Sequence, residues 1–135
     1  MRKFLAIVAV ALSLGGCAEF KAITGAISIG TASIDNPITA AREAQIEAAI
    51  DAGVQALLVY RRACLAGSAD VNCRQNIRLA QPYTIQLKKL VVRLRTFVDS
   101  NDQVNAIVVF KQIVPLYEEM KSIAATAGVN IGALP

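Results

Sequence analysis

The chain has 135 residues, with 14 basic and 10 acidic side chains and a formal net charge of +4. It contains no His and no Trp, and aromatic residues make up only 5% of the sequence. Imidazole acid–base chemistry is therefore excluded, and aromatic platforms on which nucleic-acid bases could stack are scarce.

The first 16 residues have the composition of an export signal. A basic pair, Arg2 and Lys3, precedes an apolar run that ends at Leu14, and two glycines follow. This order is typical of a secretory signal, and the apolar run is shorter than the ~20 residues that a permanent membrane helix requires. We therefore predict that residues 1–16 are a cleaved signal peptide.

Residues Leu14-Gly15-Gly16-Cys17 resemble the lipobox of bacterial lipoproteins, in which a small residue precedes a cysteine that is acylated and becomes the new N-terminus. The resemblance covers only the first 17 residues, and the alternative is an ordinary signal peptide with a chance cysteine. It implies that Cys17 is the lipid-attachment residue and that acyl chains anchor the protein stably to a membrane. Residue 18 is Ala rather than Asp, so the family's sorting rule implies the outer membrane, on the side facing the periplasm. Nucleic acid is not an expected partner there.

The predicted mature chain is one domain preceded by a tether. Removing 16 of the 135 residues leaves 119, and losing Arg2 and Lys3 leaves 12 basic against 10 acidic side chains, a net charge of about +2. Residues 17–34 mix Gly, Ser and Thr with spaced isoleucines, which predicts a lipid-anchored flexible tether. Alternatively, they form a strap that packs on the domain or the membrane through Ile23, Ile27, Ile29 and Ile34.

Two cysteines remain if Cys17 is acylated. Cys64 and Cys73 flank a turn-like stretch, and an even pair in an oxidising compartment favours a disulfide. Free buried thiols are the alternative. Two sulfurs without His are too few ligands for a metal site, so we expect neither a metal nor any other cofactor.

The first predicted helix begins with Asp35 and Asn36 as capping candidates and Pro37 at its first position, and it runs to about Ala66, before Gly67. Its carboxylates form a ladder beside the apolar face, at Glu43, Glu47 and Asp51. They could bind a cation or act as an acid–base pair, but we expect an exposed edge without a partner.

The second predicted helix runs from about Asn72 to Val98, and Pro82 predicts a kink or a break within it. Its apolar face lies opposite a cationic face, and the helix has no acidic residue before Asp99. The candidate contacts to an anionic surface on this face are Arg74, Arg78, Lys88, Lys89, Arg93 and Arg95. That surface could be anionic headgroups, the acidic ladder of a second copy or an anionic envelope polymer; otherwise the face is merely solvated.

The third predicted helix runs from about Asp102 to Ala127 and ends at Gly128, with Pro115 inside it. Apolar residues surround its axis, so a spare apolar strip could bind a partner protein or a second copy. Alternatively, the other helices and the 18–34 segment cover it. The tail, residues 129–135, has no pattern and is expected to be loosely held.

Together these elements predict an all-α fold: an antiparallel three-helix up-down-up bundle over residues 35–128, preceded by the signal peptide and the tether. The predicted core is Ile46, Ile50, Val54, Leu57, Leu87, Leu90, Val91, Leu94, Ile107, Phe110 and Val114.

No nucleophile with a base, no glycine-rich phosphate motif and no metal-ligand set is recognisable in the sequence, so we do not expect an enzyme. The expected function is that of a membrane-anchored, non-enzymatic envelope lipoprotein that acts as an interaction or structural module through its helical surface. One alternative is a surface-active protein whose cationic helix binds anionic membrane, as a lysis, exclusion or toxicity factor. Another is a carrier of small lipids or hydrophobic ligands between the helices.

Overall fold

The computed structural model describes residues 36–135, and the regular secondary structure in that range consists of three helices. Helix α1 spans Ala40–Leu65, α2 spans Cys73–Asp99 and α3 spans Gln103–Thr126. The prediction of an all-α fold is confirmed for these residues, and the packing of the helices is compatible with a bundle. The predicted signal peptide, Cys17, the tether and Asp35 lie outside the described residues.

Helix α1 begins later than the sequence predicts, and its cap is Thr39. The Thr39 Oγ1 accepts a hydrogen bond from the Arg42 backbone N–H at 3.1 Å. Ile38, one residue earlier, is fully buried and is held outside the helix by the side chain of Gln103. The Ile38 N–H donates to Gln103 Oε1 at 2.9 Å, and Gln103 Nε2 donates to the Ile38 carbonyl at 3.1 Å. This pairing of backbone with a distant amide explains why Pro37 is not the first helical residue.

The other helix ends lie within about a residue of the predicted ones. Gly67 and Gly128 follow α1 and α3 with φ values of +74° and +73°, a left-handed conformation that glycine adopts without strain. Asp102 caps α3, since its Oδ1 accepts from the Asn105 N–H at 3.2 Å. Helix α2 is continuous through Pro82, so the break considered there does not occur.

The core is centred on α2, which packs extensively on both α1 and α3, while α1 and α3 touch each other at few places. Nine of the eleven predicted core residues are buried, and the other two, Leu57 and Val114, are partly buried against the same cluster. Large side chains that the prediction left out are also fully buried, among them Ile38, Tyr117, Met120 and Leu134.

The tail is packed into the core, and the prediction that it is loosely held is wrong. Ile131 and Leu134 are 4% and 1% exposed. A Cβ atom on Gly53 of α1 would lie 3.0 Å from both Ile131 Cγ2 and Met120 Cε, so the missing side chain makes room for the tail between α1 and α3. The buried Tyr117 hydroxyl donates to the Gly132 carbonyl at 2.7 Å. The domain therefore extends beyond residue 128 to the last residues of the chain.

Candidate interaction surface

The outer face of α2 carries five basic side chains that are exposed and free of ion pairs with the described residues. They are Arg74, Arg78, Lys88, Lys89 and Arg93. The helix contributes no carboxylate before its last residue, Asp99. The amphipathic pattern of α2 therefore leaves these cations in solvent, where an anionic partner could reach them.

Arg95 differs from the other five candidates because it is paired within the chain. Its Nε lies 3.6 Å from Glu43 Oε1, and its terminal nitrogen donates to Glu47 Oε2. The prediction that the acidic ladder lacks a partner is thus wrong for two of its three members. The ladder meets the cationic helix of its own chain, because Arg95 lies on the flank of α2 that faces α1. Arg95 is consequently a poor candidate for contact with an external surface.

Glu43 is a buried carboxylate at this α1–α2 contact. Its side chain is only 9% exposed, and its Oε1 accepts no hydrogen bond from the described residues. Burial raises the pKa of Glu43, and the nearby Glu47 raises that pKa further, whereas Arg95 opposes both effects. Among residues 36–135, no group of His, Cys, Asp or Glu side chains is arranged to hold a metal ion. The arrangement is an interhelical ion pair.

Exposed apolar side chains lie among the cations. On α2, Ile85 and Val92 are 47% and 62% exposed. On α3, most of the apolar surface is buried, but Val104 and Val108 remain 62% and 49% exposed. The spare apolar strip predicted for the third helix is therefore short and lies near the N-terminus of α3.

A groove of about 610 Å³ runs between α2 and α3. Its lining consists of Gln86, Lys89, Leu90 and Arg93 from α2, with Lys111, Gln112, Pro115 and Leu116 from α3. Three of these eight residues are cationic and none is acidic. Sequence reasoning placed Lys89 and Arg93 on a candidate face but missed Lys111, because the pattern within a single helix does not reveal which side chains of its neighbour lie alongside.

A smaller groove of about 240 Å³ lies between α1 and α2. Its lining is mainly apolar, with Val54, Leu57, Leu58 and Ile85 among its members and Arg61 as its only charged residue. Two of its lining residues, Leu58 on α1 and Ile85 on α2, are 36% and 47% exposed.

The turn between α1 and α2 is held by a cross-link and a hydrogen-bonded cluster. Cys64 and Cys73 are buried and lie at disulfide-bonding distance, with their Cα atoms 5.7 Å apart, as the sequence predicts. The Tyr60 hydroxyl donates to Asp70 Oδ2 at 2.6 Å, and Asn76 Nδ2 donates to the Tyr60 oxygen at 3.3 Å. The Tyr60 hydrogen bond lowers the pKa of Asp70, and burial raises the pKa of Tyr60. We assign this cluster a structural role.

Among residues 36–135, none of the helices combines the length and apolar character needed to cross a bilayer. Comparisons of the chain with protein families, with characterised proteins and with solved structures find no match.

Proposed function

We propose that this chain is a membrane-anchored, non-enzymatic lipoprotein of the cell envelope, held at the outer membrane through acyl chains on Cys17 and facing the periplasm. In this proposal residues 17–34 are the tether, and the helical surface is the interaction module. We further infer an up-down-up order of α1, α2 and α3, since the connections at residues 66–72 and 100–102 are short.

The observation that best supports an interaction role is a set of five exposed cations on α2 that form no ion pair with the part of the chain that the structure describes. The described part of the chain has carboxylates elsewhere, and Arg95 uses two of them. The remaining basic side chains of α2 form no ion pair with a carboxylate of residues 36–135. An anionic surface would supply the negative charge that these cations lack. No carboxylate on α2 before Asp99 would compete with that surface for them.

The anchor is tested by measuring the intact mass of the protein extracted from membranes. We expect the mass of residues 17–135 plus acyl groups, less the two hydrogens that a Cys64–Cys73 disulfide removes. A Cys17→Ser variant should carry no acyl mass and should leave the membrane fraction. An unprocessed chain with a free thiol at position 17 would contradict the proposal.

A partner protein or a second copy at α3 is supported by the exposed valines Val104 and Val108. A photo-crosslinking residue at position 108 should trap a discrete adduct in cells, whereas one at Val59 of α1, which is 63% exposed, should not. Equal labelling from both positions, or none from either, would argue against a protein-binding site on α3.

A second candidate function, membrane disruption by the cationic helix, is favoured by Ile85 and Val92, because exposed apolar residues among cations are typical of helices that lie in the membrane interface. Release of a trapped dye from anionic vesicles tests it. Rapid, salt-sensitive release that is weakened by Arg78→Gln, Lys89→Gln and Arg93→Gln together would favour disruption; intact vesicles would exclude it.

A further inference from the structure

We propose that the α2–α3 groove is a binding site for the phosphate headgroup of an anionic phospholipid at a membrane surface. This inference rests on the membrane location in the proposed function and adds the site and the ligand. Its test does not require the acyl anchor, so either claim can fail without the other.

The first argument is electrostatic. Lys89 and Arg93 reach the groove from α2 and Lys111 reaches it from α3, and none of the three pairs with a carboxylate of residues 36–135. Like charges that share a concave site repel one another, and a bound anion reverses that repulsion. Arg95, only two residues after Arg93, shows that this helix does form ion pairs where the fold supplies carboxylates.

The second argument is the chemistry of the rest of the lining. Leu90, Pro115 and Leu116 give the groove an apolar surface, and the amides of Gln86 and Gln112 offer hydrogen-bond donors beside the cations. The volume of about 610 Å³ lies within the range of small-molecule sites. A phospholipid headgroup matches this lining, because its phosphate can contact the cations and amides while its glycerol and first acyl carbons contact the apolar residues.

The third argument selects a bilayer rather than a soluble anion. Val92 lies one turn after Lys89 on α2, and Val108 lies one turn before Lys111 on α3. Both valines are exposed, at 62% and 49%. Basic side chains at the headgroups with apolar side chains beside them are the arrangement of interfacial helices. A free phosphate or an acidic polymer would neutralise the cations but leave the valines in water.

The experiment measures vesicle binding of residues 17–135 carrying Cys17→Ser, the acyl-free equivalent of the proposed mature chain. Vesicles contain phosphatidylcholine alone or with about a third phosphatidylglycerol. The test variant combines Lys89→Gln, Arg93→Gln and Lys111→Gln. The control variant removes the same charge by Arg61→Gln, Arg62→Gln and Lys121→Gln, at residues that neither belong to the cationic face of α2 nor line the α2–α3 groove. Circular dichroism and intact mass verify that the variants keep their helices and the disulfide.

We expect the parent chain to bind only the anionic vesicles, and more weakly at high salt. The test variant should lose about 100-fold in partition coefficient, because each cation near an anionic surface contributes roughly a factor of five. The control variant should lose less than fivefold. Equal losses in the two variants would mean that net charge alone drives binding and would overturn the site, as would failure of the parent chain to bind.

Lysine labelling provides a second readout on the same chain. With an amine-reactive reagent, anionic vesicles should protect Lys89 and Lys111 but leave the labelling of Lys121 unchanged, because Lys121 does not line the groove. An unprotected Lys111 would overturn the proposal even if the chain bound vesicles. Protection by soluble glycerol phosphate as strong as that by vesicles would overturn the bilayer as the occupant.

Discussion

Replacing Leu134 by Ala tests whether the tail is part of the folded core. Leu134 is 1% exposed and belongs to the same buried cluster as Ile131 and Tyr117. The substitution removes about three buried carbon groups, each of which contributes ~0.8 kcal/mol, so the transfer cost is roughly 2.4 kcal/mol. A cavity would add to that cost, but a chain end can shift to close much of it. We therefore expect the free energy of unfolding to fall by about 2–3 kcal/mol.

Urea unfolding followed by circular dichroism measures this loss. For a small domain with a slope of ~1–3 kcal/mol per molar urea, the midpoint should fall by about 0.7–3 M. The matched control is Leu65→Ala, since Leu65 is 73% exposed and the chemical change is the same. The control should change stability by less than ~0.5 kcal/mol. If the two variants had the same midpoint, the tail would not be docked and residues 129–135 would be the loose segment that their sequence suggests.

Three further predictions concern the rest of the domain. Reducing the Cys64–Cys73 disulfide should lower the free energy of unfolding by about 2–3 kcal/mol in urea titrations, and a variant with both cysteines changed to Ala should not respond to reductant. Gly53→Val should destabilise by roughly 1–3 kcal/mol, because its side chain would overlap Ile131 and Met120; an unchanged thermal midpoint would show that the tail moves aside freely. The raised pKa of Glu43 means that the folded state binds a proton more readily than the unfolded chain, so stability should decrease as pH rises from about 4.5 through the folded-state pKa. Glu43→Gln should remove that decrease, and urea midpoints between pH 4 and pH 8 that ran parallel in both proteins would contradict the assignment.

The helices and most of the core could be predicted because their signals are local. Apolar residues at helical spacing, Gly67 and Gly128 after two helices, and Asp102 before the third define elements without reference to the rest of the fold. The disulfide also followed from composition and spacing, since only two cysteines remain if Cys17 is acylated.

The errors arose where one part of the chain depends on another that is distant in sequence. The start of α1 is decided by Gln103, which is 65 residues from Ile38 and binds both polar groups of its backbone. The docked tail depends on a glycine in α1 and a tyrosine in α3. Neither contact can be recognised from the sequence, because a side chain that binds a distant part of the backbone does not recur at a helical or strand period.

The same reason explains the incomplete prediction of the candidate surface. The cationic face of α2 was recognisable from its helical spacing, but the sequence could not separate Arg95, which binds the ladder of α1, from Arg93, which lines the opposite groove. No pattern within the third helix marks Lys111 as part of a candidate surface. Its relevance depends on the packing of α3 beside α2, which puts it in a groove with two cations of another helix.

The distribution of charge matters more for a binding role than its total. The predicted mature chain has a net charge of only about +2, too small to attract anionic surfaces strongly by itself. The charges are unevenly distributed on the fold. Two carboxylates of α1 bind Arg95 on one flank of α2, whereas the groove on the other flank is lined by three cations and by no acidic residue of positions 36–135. If the basic side chains of α2 served only to keep the domain soluble, their position relative to the carboxylates of α1 would not affect binding. Removing the three groove cations should therefore weaken vesicle binding far more than removing three basic side chains elsewhere in the domain. The comparison of the test variant with the control variant measures this difference.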